Sequence, residues 1–214
     1  MSLCRKLKKG GLIPSFRKPS MMQLAPLRDG PDVSWLSKCR VGDNQGNEGA
    51  CGVFAIANWA EIMFGKEIID MQCLDLYANT IKKLGRADEG LTFKEAFDAC
   101  SGAGWLPGKT EIKQVGDLSE MINQPLLFGV KVNGTMDHVN EDGCLDHSDT
   151  AQRSPVRGYH ALCSPAHGTI SSIDDIMKWV YIEQSWGLNW GRNGIGIMTE
   201  DLFKVICSEI HIIV

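Results

Sequence analysis

No apolar run in this sequence is long enough to cross a membrane as a helix. The first 25 residues hold no continuous apolar stretch, and no secretory signal is read there. Acids are absent from the first twenty positions, which carry Arg5, Lys6, Lys8, Lys9, Arg17 and Lys18. With a net charge of −4 overall, the chain beyond these six cations carries −10. An acidic body argues against a nucleic-acid-binding face. The basic segment has the composition of a transit peptide, but Gly10, Gly11, Pro14 and Pro19 interrupt any helix. It could instead touch a membrane surface or an acidic partner. The reading adopted is a solvated, flexible extension over 1–30. Internal repeats and low-complexity tracts are also missing.

What remains is an ordinary globular composition, 43% hydrophobic and 22% charged over 214 residues. That length suits one domain, here 31–214, able to bury a core without staples. The eight cysteines stand at 4, 39, 51, 73, 100, 144, 163 and 207. An even count in a secreted chain would suggest disulfides. Without a visible signal, the expectation is a reducing, cytoplasmic setting with mostly free, packed thiols.

Residues 43–50 form a polar, Gly-rich loop, and the pattern changes abruptly at Cys51. The stretch 51–64 is apolar on nearly every face, which predicts a buried helix stopped at Gly65. A second helix is expected over 68–84, closed by Lys82, Lys83 and Gly85. Thr92 and Glu95 form a capping box before an amphipathic stretch to Cys100. Asp117 and Glu120 open a further short helix that ends before Pro125. Strands follow at 126–132, 157–163, 179–184, 194–198 and 209–214. Helices first and strands second point to an α+β fold in two lobes, divided near 124/125.

Cys51 ends the polar loop and opens the buried helix. A thiol there sits at the positive end of the helix dipole, where a thiolate is stabilised and its pKa depressed. Taken alone, it is equally a small core residue. Gln45 lies on the same loop, and its amide could donate to a developing oxyanion beside the Cys51 N–H. It could also be a solvated loop Gln. His160, inside a strand-like run, is either a satisfied core histidine or the imidazole that pairs with Cys51. Gln184 could hold the far side of that ring.

Three blocks in order carry a resemblance. QGNEGACGVF at 45–54 resembles the papain-like cysteine peptidases' Q-G-x-C-G-S-C-W-A-F, with the Gln-to-Cys spacing kept. GYHAL at 158–162 resembles their histidine-bearing strand, and QSWGLNWGRNGIGIM at 184–198 their N-S-W-G-x-x-W-G segment. NQPLLFGVKVNG at 123–134 and GLTFKEAFDACSGAGW at 90–105 are similar to segments that flank these blocks. The resemblance implies a papain-like fold, with a helical lobe at about 44–124, a β-rich lobe at about 125–214 and the cleft between them. It implies Cys51 as nucleophile, His160 as general acid/base, Gln45 at the oxyanion hole and Gln184 in place of the usual orienting Asn. Trp186 would shield the His–Gln hydrogen bond. Gly90 would pair with an extended substrate. Leu91, Thr92, Gly129 and Ala161 would line the pocket for the second residue before the scissile bond, with Tyr159 at its rim. Gly129 and Ala161 are small, so that pocket is expected to be open and apolar.

The implied activity is thiol-dependent hydrolysis of a peptide or protein substrate, with no metal or organic cofactor. The alternatives are an acyltransferase or isopeptidase using the same thioester, and a weakened peptide-binding homologue. This chain departs from the family at several points. Glu48 replaces a disulfide cysteine, Ala50 and Gly52 replace the Ser and Trp beside the nucleophile, and Glu89 replaces the first of two paired glycines. The acidic and histidine-rich stretch 137–149 matches no common zinc spacing and is read as a solvated loop. Trp179, Trp186 and Trp190 are read as core and cleft-wall packing.

Overall fold

The computed structural model describes residues 33–40, 42–116, 124–140, 143–171 and 176–214. The basic extension over 1–30 and the helix expected from Asp117 and Glu120 lie outside these residues.

Helix α1 (Cys51–Phe64) has the predicted bounds. Twelve of its fourteen residues are buried, so it has no solvent face. Gly65 ends it in the left-handed region at φ 65° and returns its N–H to the Glu61 carbonyl. Helix α2 (Asp70–Leu84) buries Cys73, Tyr77 and Ile81 and stops at Gly85, also left-handed. In α3 (Phe93–Gly102), the Thr92 hydroxyl accepts from the Glu95 N–H at 3.3 Å. The Glu95 carboxylate accepts from the Thr92 N–H at 2.9 Å, completing the predicted box. Ala50, Ile56, Trp59, Tyr77, Phe93 and Phe97 belong to one apolar cluster that all three helices share.

The rest is mostly one antiparallel sheet. Its strands are β1 (Val33–Ser34), β2 (Ile112–Val115), β3 (Leu126–Val132), β4 (Gly158–Ser171), β5 (Ile176–Glu183), β6 (Ile195–Thr199) and β7 (Cys207–Ile213). They run in the order β2-β7-β3-β4-β5-β6, with β1 paired to β4. Short helices α4 (Gly134–Asp137), α5 (Asp149–Gln152) and α6 (Glu200–Ile206) sit in the connections. Strand alternation decides which core each residue joins. Leu126, Phe128, Val130 and Val132 pack with Trp186, Trp190 and Phe203. Leu127, one residue out of phase, joins the helical cluster. Strand β3 is thus covered on both faces over 126–130, which explains the apolar run there, and the partly exposed Lys131 interrupts it. Cys51 belongs to the sheet-side cluster, while the rest of α1 faces the helical one. The nucleophile candidate therefore stands where the two cores meet.

Candidate active site

Cys51 is the first residue of α1 and 6% exposed. His160 lies on β4, opposite Val130 of β3, and is 2% exposed. Both line one pocket of about 250 Å³. Gly90, Leu91, Thr92, Gly129, Tyr159 and Ala161 line the same pocket, so six of the seven expected substrate contacts fall on its walls, and the seventh, Trp186, does not. Tyr159 is 62% exposed, as a rim residue must be.

The far side of the imidazole is occupied as the sequence suggested. Gln184 follows β5, and its Oε1 meets His160 Nε2 in a buried hydrogen bond. An amide oxygen only accepts, so Nε2 carries the proton and Nδ1 keeps its lone pair. Nδ1 is buried and has no hydrogen-bond partner among the described residues. Trp186 stacks on the ring at 4.7 Å between centroids, with planes 27° apart, and packs edge-on against Trp190. It covers the His160–Gln184 pair rather than lining the pocket.

The loop before α1 is fixed from both sides. The Gln45 N–H donates to the Ser185 carbonyl at 2.9 Å, and the Gly187 N–H donates to the Asp43 carbonyl at 2.7 Å. Gln45 is fully buried. Its Oε1 accepts from the Ser185 hydroxyl, and its Nε2 donates to the Glu48 carbonyl at 2.6 Å. One N–H of that amide is committed to Glu48, and the second remains. On the other side, Asp88 accepts from the Gly49 N–H at 3.0 Å and from the Tyr77 hydroxyl, which in turn accepts from Gly90. A side chain at Gly49 would place its first carbon 2.9 Å from the Gly90 nitrogen, so only glycine lets these two loops approach.

No family model and no curated protein matches this sequence. Solved structures do match. Xylellain, a cysteine protease from Xylella fastidiosa, aligns over 100% of this chain and 98% of its own, with a TM-score of 0.64 at 18% identity. Procathepsin L 3 of the Tenebrio molitor larval midgut aligns over 91% of this chain and 72% of its own, with a TM-score of 0.57 at 16% identity. The proform of the ragweed pollen allergen Amb a 11, a cysteine protease, gives 0.55 at 16% identity over 89% of this chain and 68% of its own. The fold is papain-like.

Within this papain-like fold the electrostatics differ from the sequence expectation. The backbone N–H groups of Ala161, Gly52 and Cys51 favour the thiolate, but burial outweighs them and pushes the Cys51 thiol above its ordinary value. Burial likewise lowers the His160 imidazole to about 3, against the support of Gln184. In the substrate-free site burial thus favours the neutral thiol and the neutral imidazole, against the expectation of a thiol depressed by the helix end.

Sequence reasoning missed two acidic walls, Glu89 beside Gly90 and Glu209. Glu209 on β7 lines the pocket, packed over Gly129, where an added Cβ would lie 2.6 Å from the Glu209 side chain. Its Oε2 lies 2.7 Å from His211 Nε2. The pocket is therefore not purely apolar. Glu209 and His211 alternate along the strand on one face, and that shared face was the available signal.

Among the described residues, no group of three or more His, Cys, Asp or Glu side chains is arranged to hold a metal ion. His138, Cys144, Asp146 and His147 do line a separate pocket of about 340 Å³. No disulfide joins the seven cysteines among the described residues. None of the described helices is long and apolar enough to cross a membrane.

Proposed function

We propose that this chain is a cysteine peptidase whose two-lobed domain, 31–214, binds peptide in the cleft between a helical lobe at about 44–124 and a β-rich lobe at about 125–214. One observation carries the reading. Cys51 and His160 line the same pocket, and Gln184 takes the proton-bearing nitrogen of the ring and leaves the basic one open. As the Cys51 sulfur attacks the peptide carbonyl, its proton passes to His160 Nδ1. The oxyanion is held by the Cys51 N–H and the second N–H of Gln45. His160 then protonates the leaving amine, and the thioester forms. Water, deprotonated by His160, releases the acid and restores the thiol. The pair is neutral at rest, so charge separates only as the bond forms, beneath Trp186 and beside the helix end.

Gln184 acts here as a working orienter. It offers the acceptor oxygen of an Asn on a stem longer by one methylene. Its extra rotor is fixed by burial under Trp186. Gln184→Ala is expected to lower kcat by about one to two orders of magnitude, since this group orients and does not react. Gln184→Asn should retain measurable turnover. Wild-type turnover by Gln184→Ala removes the assignment. Glu183, the other candidate for the ring, is directed elsewhere, as described below.

Glu209 extends the specificity. Besides bulky apolar residues, the pocket should accept Lys or Arg as the second residue before the scissile bond, because a cation there meets the Glu209 carboxylate. The test is a cleavage profile on a mixed peptide library, which also tests hydrolysis itself. Glu209→Gln should lower kcat/KM for the basic peptide about tenfold and leave the Leu peptide nearly unchanged. Equal losses on both peptides would show that Glu209 only supports the pocket.

The cytoplasmic setting belongs to this proposal. Mass mapping of the chain purified without reductant is expected to find free thiols. Three ordered disulfides would overturn the expectation.

A further inference from the structure

Behind the active site lies a buried group of acids that the mechanism does not use. Asp43, Glu61 and Glu183 are 3%, 6% and 3% exposed. They come from the active-site loop, from α1 and from the end of β5. Arg40 is the guanidinium they share. It pairs with Asp43, with Glu61 at 3.5 Å and with the more exposed Asp70 of α2 at 3.1 Å. Asp43 also accepts from the Asn58 amide at 2.7 Å, and Glu61 accepts from the Ile68 N–H at 2.7 Å. Glu183 has weaker help: among the described residues no N–H or hydroxyl donates to either of its oxygens, and its support is the Cys39 thiol and the attraction of Arg40. The thiols of Cys39 and of Cys163, its register partner on β4, stand beside it, and Asp43 and Glu61 repel it. Four carboxylates against one guanidinium would leave −3 if all were ionised. A buried carboxylate in that position is tolerable only with a proton on it.

The cluster is built into the catalytic loop. Asp43 lies two residues before Gln45, and the Asn44 N–H donates to Asp70 at 3.1 Å. Glu183 lies one residue before Gln184. The contacts of segment 43–45 with 185–187 hold the two halves together.

We propose that Glu183 is a positioning residue that works only when protonated, and that its ionisation pushes the 42–45 segment off segment 185–187 and so misplaces Gln45 and Gln184. The functional part rests on the roles proposed above for those two amides. The sign follows from burial. It holds the Asp43 and Glu61 carboxyls up, at about 6 and about 7, and raises Glu183 well above its ordinary value. Each folded value exceeds the unfolded one, so the folded chain retains protons that the unfolded chain loses. Seating of the segment is therefore strongest in mild acid and weakens as pH rises through these values. His160 acts in the opposite direction, but only below its ordinary 6.5, where the unfolded ring takes up a proton that the folded ring refuses. Unfolded thiols ionise only above about pH 8. Between pH 6.5 and 8 the slope belongs mainly to Glu61 and Glu183.

The test is backbone hydrogen exchange of the full-length Cys51→Ala chain at pH 6.5 and 8, corrected for intrinsic exchange. Protection of 42–45 and 184–187 should fall by about tenfold relative to α2, and Glu183→Gln should leave only the smaller fall that Glu61 contributes. In the active chain, kcat should decline over the same range, and Glu183→Gln should hold it to higher pH. Should Glu183→Gln fail to fold, Glu61→Gln is expected to make the fall shallower. Equal protection at both pH values, or an unchanged fall in the folded variants, overturns the proposal. The exchange needs no turnover. A chain that cleaves no peptide yet loses protection keeps this inference and refutes the peptidase. A chain that cleaves peptide with flat protection does the reverse.

Discussion

Cys51→Ala is expected to reduce peptide hydrolysis at least about a thousandfold, to the level of the uncatalysed background or of trace wild type. The side chain occupies a dry site at the first turn of α1, and a methyl fits where the thiol was. Helix α1 starts without any side-chain cap, so no capping bond is lost. The thermal midpoint should therefore move little while turnover disappears, which separates loss of chemistry from loss of fold. A variant that hydrolyses peptide at the wild-type rate would remove the thioester from the account.

His160→Ala is expected to cost nearly as much, since nucleophile and base act as one unit and their losses do not add. It should also carry a signature that a structural role would not produce. Burial pushes the Cys51 thiol up. Without the imidazole to take its proton, reaction with a small alkylating agent should require alkaline pH. In the wild type, the same reaction should persist near neutrality. Removing His160 also opens space under Trp186, so some stability will be lost, and Cys51 alkylation is the cleaner readout. Identical alkylation profiles for wild type and variant would break the pairing.

The helices were legible because their signals are local. The apolar run of α1, the Gly65 and Gly85 stops and the Thr92–Glu95 box each lie within one short stretch. Strand β3 was legible for the same reason. Strand β4 was read too short, because Ser164, Pro165 and Gly168 look like a turn. The strand instead shifts register between Cys163 and Ala166 and continues to Ser171 on its pairing with β5. Helix α6 was missed, although Thr199 caps it by accepting from the Leu202 N–H.

The candidate site divides in the same way. Cys51, His160 and Gln184, read from sequence blocks as candidates, lie together, and six of the seven pocket candidates taken from the resemblance line one pocket. Glu209 and the Asp43–Glu61–Glu183 cluster were not, because each depends on contacts between distant parts of the chain. Whether Glu183 or Gln184 meets the ring is decided by strand alternation. That alternation sends Gln184 to His160 and leaves Glu183 beside Cys163 and Cys39.

The most direct measurement is intact mass and peptide mapping of the wild-type chain after exposure to a peptide bearing an electrophile at the scissile position. The account predicts one adduct per chain, on Cys51, formed far faster than with the same electrophile lacking the peptide and abolished in His160→Ala. No adduct, or an adduct spread over the other cysteines at the rate of an ordinary thiol, would contradict it.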